Sequence, residues 1–164
     1  MANRIALLKV MFLLMCMGMF NIIPLFAQDR AGFEDLWVCP VFETGFYGVS
    51  NPSFGSGLAV GYGDRMAFGI KVVYWRDMGE VRALELNVLV RHYFFGNGAG
   101  NPGLFLQFSG GPAIFINPNQ AATISAGLSV GWRFHLSKYF FIEPAIRGGY
   151  PYFVTAGLSA GVRF

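Results

Sequence analysis

Eight ionisable side chains stand at odd-numbered positions within otherwise apolar runs: Glu43, Lys71, Glu85, Arg91, Arg133, Glu143, Arg147 and Arg163. Carboxylates and cations held on one face of alternating segments can do two kinds of chemistry. They can pair into an ion network that fills an enclosed space and fixes how neighbouring segments align. They can also act as a gate on a narrow path for ions, opened by breaking a pair. Lys71 and Glu85 flank a turn at 77–80 and are expected to pair across it, while Glu143 and Arg147 share a face with Arg133 on the neighbouring segment. Other chemistry lacks its residues. His92 and His135 have no acid and serine spaced to form a relay. Cys39 stands alone and reads as a small packing residue, and no His/Cys/Asp spacing suits a metal. There is no phosphate loop or calcium loop. The expectation is therefore no catalytic role, no metal and no cofactor.

The elements that must position these charges are strands. The nine residues Ala156–Phe164 place Ala156, Leu158, Ala160, Val162 and Phe164 on one face and Gly157, Ser159, Gly161 and Arg163 on the other. A near-copy, Ala126–Phe134, shares seven of the nine residues, and a weaker echo spans Gly57–Tyr62. A strand of this kind shows one face to hydrocarbon and the other to something polar. The same alternation, bounded by Gly, Pro, Asn and Asp, predicts eight strands at 38–50, 56–63, 66–76, 81–94, 103–116, 121–134, 139–149 and 153–164. Even-numbered residues carry the aliphatics, odd-numbered ones the charges and most of the glycines. Pro112 and Pro144, which cannot donate to a ladder, are expected to mark bulges or local breaks.

With 54% hydrophobic and only 13% charged residues, the chain cannot cover a soluble β-sandwich with a charged surface. A net charge of +3, without clusters of Lys or Arg, gives no footprint for nucleic acid. The alternation predicts an all-β, eight-stranded antiparallel up-and-down barrel in a bilayer, aliphatics outward and charges enclosed. Eight strands leave no wide aqueous bore. Two aromatic girdles are expected. One is Tyr62, Phe68, Tyr93, Phe94, Phe95, Trp132, Phe134, Tyr139, Phe140 and Phe164; the thinner one is Tyr74, Trp75, Phe115, Tyr150, Tyr152 and Phe153.

Residues 1–27 read as a secretory signal peptide, leaving 28–164 as the barrel domain. Arg4 and Lys9 precede the apolar run Val10–Phe20, which is short for a span of about 20 residues. An uncleaved anchor is the competing reading. Leu13-Leu14-Met15-Cys16 is a poor lipidation box because Met15 is bulky.

The segment Gly127-Leu128-Ser129-Val130-Gly131-Trp132-Arg133-Phe134, the turn His135–Lys138, the strand Tyr139–Pro144 and the terminal run Gly157–Phe164 resemble the small eight-stranded bacterial outer-membrane β-barrels of the OmpA/OmpX/OmpW-like group. The likeness covers residues 40–164. It implies a monomer in the bacterial outer membrane, in contact with outer-membrane lipids. It also implies delivery by periplasmic chaperones and the β-barrel assembly machinery, with Leu158, Ala160, Val162 and Phe164 as the assembly signal. The function implied is a structural, envelope-integrity or surface-interaction role; the alternative is a narrow channel or carrier for small or hydrophobic solutes, OmpW-like. The chain departs from the group in its short outer connections at 51–55, 77–80, 117–120 and 149–152, with the longest, 96–102, on the other side.

Overall fold

The computed structural model describes residues 35–47, 51–78, 81–94, 103–117 and 121–164; the expected signal segment and the whole 96–102 connection lie outside the described residues. The strands are β1 (Leu36–Tyr47), β2 (Asn51–Tyr62), β3 (Met66–Asp77), β4 (Arg82–Tyr93), β5 (Gly103–Asn117), β6 (Ala121–His135), β7 (Phe140–Tyr150) and β8 (Tyr152–Arg163). Each pairs antiparallel with the next, and β8 returns to β1 to close the barrel. Following partners round from Leu36 through Tyr62, Phe68, Val90, Phe108, Leu128, Gly148 and Val154 leads back to β1 at Phe46, ten residues further on. That stagger over eight strands tilts them about 40° from the barrel axis. The expected fold class is the one observed.

Parity decides the two faces. The outward columns of β3 and β4, Phe68-Ile70-Val72-Tyr74 and Leu84-Leu86-Val88, are exposed. The inward columns hold Lys71, Val73 and Trp75 and then Glu85, Asn87 and Arg91, all buried. A two-residue period forces this separation once one face closes on itself. The molecule is polar where a soluble protein is dry and apolar where a soluble protein is wet.

Two expectations need correction. The connection read at 51–55 is strand: β2 begins at Asn51, and β1 ends at Tyr47. Its small residues answer to packing, because a Cβ on Gly55 would lie 2.9 Å from both the Trp75 ring and Val73. The girdles lose Tyr93, Trp75 and Tyr152, which are buried in the interior, and Phe115, which packs against the interior cluster around Trp75. Odd positions Tyr93, Trp75 and Phe115 face the lumen instead of lipid, and the register shift against β1 at Phe46/Tyr47 turns even-numbered Tyr152 inward as well. Phe95 lies outside the described residues. At the strand ends the exposed aromatics are Tyr62, Phe68, Phe94, Phe134, Tyr139 and Phe140 at the end holding the start of β1 and the end of β8 (the terminal end), with Phe46, Phe54, Tyr74, Tyr150 and Phe153 at the other, loop end; Phe42 and Phe108 are exposed between them. Of the two outcomes expected of Pro112 and Pro144, both give local breaks in the ladder and neither gives a bulge. Pairing of β4 with β5 skips from Glu85↔Ala113 to Val88↔Gly110 around Pro112, and β6 with β7 skips from Gly131↔Ala145 to Phe134↔Ile142 around Pro144, with no shift of register at either.

Inward glycines make room for large inward side chains. A Cβ on Gly61 would collide with the Trp37 ring, on Gly131 with Phe105, and on Gly161 with Cys39 and Phe141. Eight strands enclose just enough width for side chains to fill, so each bulky residue needs a bare backbone opposite it. Gly63, at φ 127°, turns the chain between β2 and β3.

Candidate functional site

The lumen is packed in three parts. Near the terminal end, Glu143 on β7 lies beneath two guanidinium groups. Arg91 on β4 donates from Nη1 to Glu143 Oε1 at 2.7 Å, and Arg133 on β6 donates from Nε to the same oxygen. Arg91 also donates to Gln107 Oε1 from Nε (3.0 Å) and Nη2 (2.7 Å), and to the Tyr93 hydroxyl at 2.8 Å. Flat faces complete the enclosure. Arg91 stacks 4.0 Å from the Phe105 ring centre and 4.8 Å from Trp37, while Arg133 lies 4.0 Å from Phe141. A guanidinium suits this place because it is weakly hydrated, planar and able to stack while donating in its plane. All three ionised groups are almost fully buried.

Towards the loop end a second network joins Glu43, Lys71, Glu85 and Arg147. Lys71 Nζ donates to Glu43 Oε1 at 2.8 Å. Arg147 donates in fork fashion to Glu85, Nη1 to Oε2 at 3.0 Å and Nη2 to Oε1 at 3.3 Å, with Glu43 Oε2 3.8 Å away. Glu85 also accepts from Trp75 Nε1 at 3.1 Å, and the Ser125 hydroxyl donates to Asn87 beside it. Two cations and two carboxylates balance here. In the terminal-end cluster two cations face one carboxylate, so that cluster carries one surplus positive charge. Above the second network, Trp75 and Tyr152 stack with centres 3.9 Å apart, with Tyr47 against Tyr152 and Phe115.

Between the two networks lies a cavity of about 30 Å³, lined by Lys71, Glu43 and Arg147 from one and Arg91, Glu143 and Gln107 from the other. That holds about two water molecules.

Seven of the eight charges named from the sequence meet in these networks; Arg163 stands apart at the terminal rim, donating to Asp35 at 2.6 Å. The expected Lys71–Glu85 pair does not form. Lys71 sits across from Asn87 on β4 and bonds Glu43 on β1 instead. Small Ala59 on the intervening strand lets it pass. Glu85 takes Arg147 from the far wall. Glu143 reaches Arg133 as the shared face suggests, but also Arg91, and Arg147 is not its partner. Two of these contacts, Arg147–Glu85 and Arg91–Glu143, span the lumen from β7 to β4. The stacking residues Trp37, Phe105 and Phe141 and the acceptor Gln107 escaped notice as site residues. Their odd parity opposite Gly61, Gly131 and Gly161 was the available signal. His92 faces outward, its Nδ1 3.1 Å from Met66 Sδ, and His135 packs by Phe141. Leu158 and Ala160 are exposed on the outward face; Val162 and Phe164 are half-buried, and the Phe164 amide donates to the Leu36 carbonyl at 2.9 Å.

No protein-family model matches the sequence, and no curated protein matches it. Solved structures do match in shape. The N-terminal β-barrel domain of Pseudomonas aeruginosa OprF superposes with a TM-score of 0.64 at 15% identity, covering 80% of this chain and 98% of that one. Neisserial surface protein A matches at 0.56 and 14%, covering 78% and 94%. The outer-membrane enzyme PagL matches at 0.55 and 13%, covering 77% and 98%. The chain thus has the fold of small bacterial outer-membrane barrels. PagL corrects one expectation: the lack of a catalytic role read from the sequence does not follow from this scaffold, because the same fold carries an enzyme.

Proposed function

We propose that the protein is an integral barrel of the bacterial outer membrane with an envelope-integrity or surface-interaction role, its lumen closed by its own side chains. The observation that carries this reading is the double plug. Two ion networks and two aromatic layers fill the interior, and contacts from β7 to β4 tie opposite walls together. The exposed belt of Phe68, Ile70, Leu86, Val88, Phe108 and Leu128 supports the membrane, where burying such a belt in hydrocarbon is favourable. Monomeric assembly through chaperones and the insertion machinery, with Leu158, Ala160, Val162 and Phe164 read at the last strand, belongs to the same proposal.

The competing reading, a narrow channel or carrier, has the central cavity in its favour. Planar-bilayer recording of the refolded protein separates the two. A closed barrel gives a silent membrane, unchanged in Arg147→Ala. Discrete conductance in the native chain that alters when Arg147 is replaced supports the gated channel and overturns the closed one.

A further inference from the structure

The outward columns of β3 and β4 run without a charge until both end in arginine. Arg76 and Arg82 are directly opposed partners across the two strands, both exposed, both at the loop end. Like charges placed opposite one another on a sheet destabilise it unless something lies between them. Nothing described in the protein does so. Asp77, the acid next in sequence, turns inward, is buried, and accepts the Val81 amide at 3.0 Å. Elsewhere round the loop end the described outward residues are uncharged: Phe46, Pro52, Ile116, Ala122, Tyr150 and Phe153. The described outward cations of the loop end sit together on this hairpin, at the depth where exposed Phe54 and Tyr74 mark the edge of the apolar belt; the turn acid Glu80 lies outside the described residues.

From this juxtaposition we infer that Arg76 and Arg82 together hold a phosphate group of a membrane lipid in the leaflet at the loop end. Two guanidiniums facing outward offer paired N–H donors to one phosphate, whose oxygens accept them in fork geometry. The acyl chains of that lipid then lie down the column Tyr74, Val72, Ile70 on one side and Leu84, Leu86, Val88 on the other, both apolar and exposed. A free phosphate ion gains the charge contact but not this second surface, so a lipid is the better-matched occupant. The inference rests on the membrane reading above.

The test is native mass spectrometry of the barrel released from nanodiscs of phosphatidylcholine doped with phosphatidic acid. Boiled and unboiled electrophoretic mobility first checks that each variant is folded. The wild type is expected to retain phosphatidic acid over phosphatidylcholine, and Arg76→Gln/Arg82→Gln to weaken that retention roughly tenfold. Lys138→Gln, at the terminal end, should leave it unchanged. Equal retention by the double variant, or displacement by inorganic phosphate at the same concentration, overturns the inference while leaving the barrel in its membrane. Failure of the wild type to enter the nanodisc overturns the membrane reading beneath it.

Discussion

Glu143→Ala is expected to destabilise the folded barrel by roughly 3–5 kcal/mol, the cost of stranding buried charge that has lost its partner. Glu143 is the one described carboxylate beneath Arg91 and Arg133, and all three are at most 5% exposed. After truncation each guanidinium keeps three aromatic faces, and Arg91 also keeps Gln107 and the Tyr93 hydroxyl as acceptors, whereas Arg133 loses its one described acceptor. The damage should therefore concentrate on Arg133. Adding Arg133→Met to Glu143→Ala is expected to restore most of the loss, because removing both members of a buried pair leaves no orphan. Urea unfolding of the vesicle-inserted protein, run as a double-mutant cycle, measures both effects. A Glu143→Ala barrel within about 0.5 kcal/mol of the wild type, the usual tolerance of an exposed site, would show that the pair is not sealed from water.

The second large effect concerns the outside. Val88 is 64% exposed in the middle of β4, flanked by Ile70 on β3 and Gly110 on β5. Arginine there should cost roughly 2–4 kcal/mol in a bilayer, because a charge at mid-depth must be desolvated or must drag water inward. At Met78, exposed at the loop end, the same substitution should cost about 0–1 kcal/mol. In water both positions would tolerate arginine within about 0.5 kcal/mol. The contrast between the two sites, read by denaturant unfolding from phospholipid vesicles, distinguishes lipid from solvent at the belt.

Strand count, parity and barrel class were legible because the side-chain period is two and this chain keeps it along its strands apart from register shifts at Phe46/Tyr47 and Arg82/Ala83. Glu85, Asn87 and Leu89 stand against Leu84, Leu86 and Val88, and no helix period fits them. The start of β2 was hidden because Pro52, Ser53 and Gly55 carry turn chemistry as well as smallness, and only the Trp75 ring inside the barrel reveals which property matters. The girdle misassignment has a related cause. Trp75 and Tyr152 stand near strand ends, as rim aromatics do, but odd parity points Trp75 inward, and the register shift at Phe46/Tyr47 turns even-numbered Tyr152 inward to stack on it.

Ion-pair partners were the least legible part. A sequence offers neighbours along a hairpin, so Lys71 was matched to Glu85 across the nearest turn. Closure supplies the real partners: Arg147 meets Glu85 and Arg91 meets Glu143 across the lumen, with sequence separations of 62 and 52 residues. Which charges share the enclosed face was readable, whereas their pairing depends on the ten-residue stagger that sets which levels of opposite walls meet.

The direction of the apolar face is the claim on which everything else depends, and fluorescence quenching addresses it most directly. A tryptophan placed at Val88, in a Trp132→Phe background, should be quenched strongly by lipids brominated deep in their acyl chains and weakly by aqueous iodide. The native Trp37 and Trp75, sealed within the barrel, should resist both. Quenching of the residue-88 tryptophan by iodide, with brominated lipid without effect, would place the aliphatic columns in water and contradict the account.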